Sequence, residues 1–84
     1  MLTPEHIRAA RALLHWSARE LAEHAGVHIT TIQRMERSKG PLRGSTESLR
    51  KIENAFRIAR VEFLQDDDRP GVRLNRLRAE GDGE

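Results

Sequence analysis

The side chains of this 84-residue chain with the means to do chemistry are four histidines, Ser17, an Asp66-Asp67-Asp68 run and a basic segment from His28 to Arg43. The first three sets have plain structural readings. His24 and His28 stand four apart, the spacing at which two histidines on one helix hold zinc, but Gly26 between them ends a helix and the glutamate of a zinc-protease motif is absent. The aspartates lack the spaced ligands and closing glutamate of a calcium loop, and three adjacent acids between two apolar stretches read as a solvated turn. Ser17 has no histidine and acid placed as a relay. No metal, no cofactor and no enzymatic activity is expected.

The basic segment is a different matter. Arg34, Arg37, Lys39 and Arg43 face a lone Glu36, which makes a local patch suited to an anionic partner. Residues 1–44 hold seven Lys/Arg against four Asp/Glu and residues 45–84 eight against nine, so the net +2 averages a basic half with a slightly acidic one. A helix over residues 28–37, projected at 100° per residue with Ile32 at the centre of its buried face, brings Ile29, Met35 and Glu36 within ~60° of that centre. Thr30, Gln33, Arg34 and Arg37 point away. These types match base edges in a DNA major groove: arginine pairs with guanine, glutamine with adenine, and threonine donates, accepts or touches a thymine methyl. Ile29, at the edge of the stripe, offers an apolar contact to a thymine methyl.

Such side chains need elements to hold them. Thr3-Pro4-Glu5 starts a first helix with a hydroxyl cap, a first-turn proline and an acid near the positive end of the dipole. Its stripe is Ile7, Ala10, Leu13 and Leu14, and it breaks near His15-Trp16, where Trp16 is expected to plug the core between helices one and two. Ser17-Ala18-Arg19-Glu20 is a capping box opening a second helix, with Leu21, Ala22 and Ala25 on one face and Gly26 at its end. Ile29, Ile32 and Met35 mark a third helix ending at Ser38-Lys39-Gly40-Pro41. A fourth opens at Ser45-Thr46-Glu47 and carries Leu49, Ile52, Ala55, Phe56 and Ala59. Val61 to Leu64 and Val72 to Leu74 alternate with period two around Gln65 to Gly71, predicting a short hairpin; Asn75 to Glu84 reads as a polar, mobile tail. The expected fold is all-α, a compact bundle of four to five helices followed by a β-hairpin. Its expected boundaries are 1–60, 61–74 and 75–84.

Between helices two and three, Ala22 permits close approach, Gly26 turns the chain, and Ile32 with Leu21 and Val27 fills the angle, which is a helix-turn-helix presenting helix three outward. Residues 4 to 60 resemble the Cro/C1-type helix-turn-helix, or XRE, family of bacterial and phage transcriptional regulators. The resemblance rests on Ile7, Arg11, Trp16, Ser17, Glu20-Leu21-Ala22, Gly26-Val27, Thr31-Ile32, Met35-Glu36, Gly40 and the Leu49 to Phe56 run. It implies operator binding, commonly as a dimer. It also implies that Arg11 pairs with Glu36 and ties helix one to helix three; truncating either partner of a deeply buried pair costs ~3 to 5 kcal/mol. Two residues depart from the pattern. Ala18 stands where the family often has a phosphate-holding glutamine, and His28 where a Ser or Thr usually caps helix three.

Phosphate contacts are expected from Arg19, Thr31, Arg37, Lys39 and Arg43, with His28 as a further candidate whose contact would tighten in acid. Two strands alone are marginal in water, so Val61, Phe63, Val72 and Leu74 are expected to serve dimerisation. The chain lacks cysteine, a signal-peptide pattern and any apolar run of membrane-spanning length, which fits a cytoplasmic protein. The expected function is a sequence-specific double-stranded DNA-binding regulator, a repressor acting as a homodimer on a palindrome. The alternative is an antitoxin-like module that binds a toxin-like protein partner through helix four or the hairpin.

Overall fold

The structure, a computed structural model, describes residues 2–39, 44–64 and 71–75. Residues 40–43 with Gly40, Pro41 and Arg43, residues 65–70 with the three aspartates of the expected turn, and residues 76–84 of the expected tail lie outside the described residues.

Helix α1 spans Pro4–Leu14. Thr3 caps it, accepting the His6 N–H at 3.2 Å, and the reciprocal bond runs from the Thr3 N–H to His6 Nδ1 at 3.1 Å. An imidazole thus does what a glutamate does in the usual capping box. Helix α2 spans Ala18–Ala25 and has that usual form: Glu20 donates its N–H to Ser17 Oγ at 3.0 Å, and Ser17 returns its own to Glu20 Oε1 at 2.8 Å. Gly26, at φ 74°, ends α2 in the left-handed conformation, with open space where a Cβ would stand. Helix α3 spans Ile29–Arg37, and helix α4 spans Thr46–Ile58 behind the cap Ser45. Gly44 lets the chain enter α4 close to α3, because a Cβ there would stand 2.7 Å from Met35 Cε.

The core gathers one stripe from each helix: Ile7 and Ala10, then Leu21, Ala22 and Ala25, then Ile32 and Met35, then Ile52, Ala55 and Phe56. Leu13, expected among them, is only half-buried, while His6 is buried at 5% exposure. The aromatic rings form a line through the core. Trp16 stacks between His24 and Phe56 at centroid distances of 4.0 and 6.0 Å, and Phe63 stands edge-on to both Phe56 and His6 at 5.7 and 5.8 Å. Trp16 therefore joins α1 and α2 to α4, and Phe63 carries the line on to α1.

Strands β1 (Val61–Leu64) and β2 (Gly71–Leu74) pair antiparallel with Val61 opposite Leu74 and Phe63 opposite Val72. Side chains of such pairs share a face, and all four pack against the helical core. Glu62 and Arg73 pair on the other face. The hairpin is thus a lid on α1 and α4 within the same chain, and the expected boundary at residue 60 falls inside one continuous core.

Candidate nucleic-acid interface

Helix α3 is held from behind by an interior glutamate. The Arg11 fork meets both Glu36 oxygens, Nε to Oε2 at 2.6 Å and Nη2 to Oε1 at 2.8 Å, and its third donor reaches the Trp16 carbonyl at 3.0 Å. One side chain thereby joins the α1–α2 corner to α3. The hydrogen bonds that Arg11 donates to Glu36 raise its pKa above the ordinary value, against the opposing effect of desolvation and with help from the Glu36 charge. Arg8, one turn earlier on α1, donates to the Glu36 main-chain carbonyl and lies near Glu5 at 3.9 Å. Glu36 is gripped twice, by side chain and by backbone.

With α3 so oriented, Thr30, Gln33, Arg34 and Arg37 are exposed and Ile29 is half-buried at the edge of the core. Of the expected phosphate-contact residues, Arg19 is exposed in the first turn of α2, Lys39 is exposed beyond α3, and Thr31 is half-buried. Arg43 lies outside the described residues. His28 is exposed and is the α3 cap itself: its Nδ1 accepts the Thr30 N–H at 3.1 Å and also meets the Thr30 hydroxyl. The departure from Ser or Thr at this position therefore preserves the cap, with a ring nitrogen in place of a hydroxyl.

Thr31, Arg34 and Met35 face Gly44, Ser45 and Ser48 across a groove of about 300 Å³. The start of α4, with the Ser45 hydroxyl donating to Ser48 Oγ at 2.9 Å, thus borders the outward face of α3. A helix-turn-helix family model matches residues 7–63. The chain belongs to the Cro/C1-type helix-turn-helix family. That is a DNA-binding family and not an enzyme family, and the match runs through α1 to α4 and into β1. Comparison with curated proteins returned no match. Among the described residues no helix is long and apolar enough to cross a membrane, and no three His, Cys, Asp or Glu side chains gather as metal ligands.

Sequence reasoning missed Arg8, Ser48 and the reciprocal role of His6. For His6 a signal existed, because Thr3-Pro4-Glu5-His6 has capping-box spacing with histidine in the acid's place. Arg8 has no local signal, since its partner is 28 residues away.

Proposed function

We propose that this helix-turn-helix protein is a sequence-specific double-stranded DNA-binding transcriptional repressor, working in the cytoplasm as a homodimer on a palindromic operator. The observation that carries the reading is α3 itself, an outward row of Thr30, Gln33, Arg34 and Arg37 on a helix pinned from behind through Glu36. Arg34 pairs with guanine, Gln33 with adenine, Thr30 with a base edge, and Ile29 touches a thymine methyl. Arg19, His28, Thr31, Arg37, Lys39 and Arg43 hold phosphates and set register. Repression follows by occupying a site that polymerase needs.

The dimer is assigned to the strand edges. Asn75 donates to the Arg60 carbonyl at 3.0 Å, so by the alternation of an antiparallel ladder Val61, Phe63, Val72 and Leu74 turn side chains to the core and backbone N–H and C=O groups to the outer edges. A second copy adds a strand there, placing two recognition helices ~34 Å apart, about one DNA turn. Ile58, 67% exposed at the end of α4, supports a second reading in which a toxin-like protein covers that apolar side chain.

Selection of bound sites from random duplex DNA tests the main reading: an enriched palindrome is expected, and Arg34→Ala should abolish the preference at one position of each half-site. Four cations per subunit, doubled, give a log-log salt slope of roughly −7. No enriched sequence and a slope near zero would leave only the protein-partner reading. Light scattering at DNA-binding concentrations should give the mass of two chains. Val72→Pro, which removes an outward N–H and spares the inner ladder, should give one chain if β2 is the pairing edge.

A further inference from the structure

The cap of α3 determines more than the stability of that helix. A backbone N–H can only donate, so the Thr30 N–H on His28 Nδ1 at 3.1 Å means that this nitrogen carries no hydrogen. The ring hydrogen is therefore on Nε2. The same nitrogen meets Thr30 Oγ1, and two hydrogen-free acceptors do not bond, so the hydroxyl hydrogen of Thr30 points at His28 and shares the one Nδ1 lone pair with the amide in a three-centre bond. What remains on the solvent side of Thr30 is a pair of oxygen lone pairs and a methyl group. Both residues are exposed, at the leading end of the helix whose outward face carries Gln33 and Arg34.

Resting on the DNA-recognition reading above, we propose that His28 is a specificity-determining residue: by taking the Thr30 hydroxyl hydrogen it makes Thr30 an acceptor toward DNA. An acceptor suits a base whose major-groove edge carries an amine, adenine through N6 or cytosine through N4. Guanine and thymine present only acceptors there, and an oxygen lone pair set against them leaves both unsatisfied. A free threonine hydroxyl rotates and serves either kind of base; the imidazole removes that freedom. The His28 Nε2–H is then a separate donor, available to a phosphate oxygen while the ring is neutral, so that contact needs no added proton. A proton on Nδ1 would instead displace the Thr30 amide and turn the hydroxyl outward as a donor.

The test compares sites selected from random duplex DNA by the wild-type protein, His28→Gly and Thr30→Val. Glycine is a tolerated N-cap with no side-chain acceptor, and circular dichroism confirms that each variant keeps its helices. The wild type should favour adenine or cytosine over guanine or thymine about fivefold at one half-site position, the worth of a single hydrogen bond. His28→Gly should level that preference while the Gln33 and Arg34 positions keep theirs, and Thr30→Val should level it too. A preference that survives His28→Gly overturns the proposal, as does a Thr30→Val variant with the wild-type site. Long-range nitrogen–proton spectra of the free protein should show His28 with its hydrogen on Nε2; a hydrogen on Nδ1 overturns the proposal whatever DNA does. Failure of the wild type to select any sequence sinks the DNA-recognition reading, and this inference with it.

Discussion

Two arginine–glutamate pairs of nearly equal length tie this molecule together, and they differ in everything but length. Arg11–Glu36 closes at 2.6 Å with side chains 22% and 11% exposed; Arg73–Glu62 closes at 2.7 Å with side chains 67% and 42% exposed. The first joins residues 25 apart in sequence and two helices, and its arginine also holds the Trp16 carbonyl. The second joins neighbours across a hairpin whose register already places them opposite each other. A largely buried pair is costly to break because the survivor loses its counter-charge where water reaches it poorly, whereas a rim pair is replaced by solvent. Contact distance alone says nothing about which pair orients α3.

The largest effect should come from Glu36→Ala, which strands Arg11 and unties α1 from α3. We expect a loss of about 2 to 4 kcal/mol in urea unfolding. DNA affinity should fall in parallel, and a loss under about 1 kcal/mol would place this pair with the rim pair. Next, the double variant Arg11→Ala/Glu36→Ala should lose less than the sum of its singles, with a coupling of about 1 to 2 kcal/mol. Arg8→Ala removes the grip on the Glu36 carbonyl but leaves the side-chain pair, so about 0.5 to 1 kcal/mol is expected by the same measurement.

The smallest effect belongs to the hairpin. Glu62→Gln should leave the urea midpoint almost unchanged. The hydrogen bond from Arg73 is the main cause holding the Glu62 carboxyl below the ordinary glutamate range, against slight desolvation and with help from the Arg73 charge and Asn75. A carboxylate lowered in this way contributes stability at neutral pH, and that contribution fades as pH falls through its folded value. A carboxyl titration by NMR should find Glu62 below the usual glutamate midpoint, and Arg73→Ala should bring it back up.

Much of the geometry of the candidate interface was legible because it is built from short-range patterns. Ser17 and Glu20 stand at capping-box spacing, Gly26 sits where α2 must stop, and the 3.6-residue period sorts Ile32 and Met35 inward from Gln33 and Arg34 outward. The same projection put Glu36 inside, and an interior carboxylate demands a cation. That demand did not name Arg11; the family pattern did, and the structure shows the bidentate pair.

Other residues were misjudged for lack of a partner in view. Leu13 fits the apolar period of α1 yet is only half-buried, whereas His6, outside that stripe, is covered because Phe63 arrives from the hairpin 57 residues later. The hairpin itself was read as two strands in search of a surface. The register puts Val61, Phe63, Val72 and Leu74 on one face, and that face finds its surface on the same chain, so only the strand edges remain for a second copy.

Sequence alone determined the helix starts, the helix-turn-helix and the side chains α3 turns outward, because caps and periodicity are set by residues within one or two turns of each other. Tertiary structure decided that Arg8 grips the Glu36 backbone, that His6 is buried and that the hairpin closes over α1 and α4. Those contacts depend on crossing angles and on which surface each element covers, and neither is encoded in the spacing of any one segment.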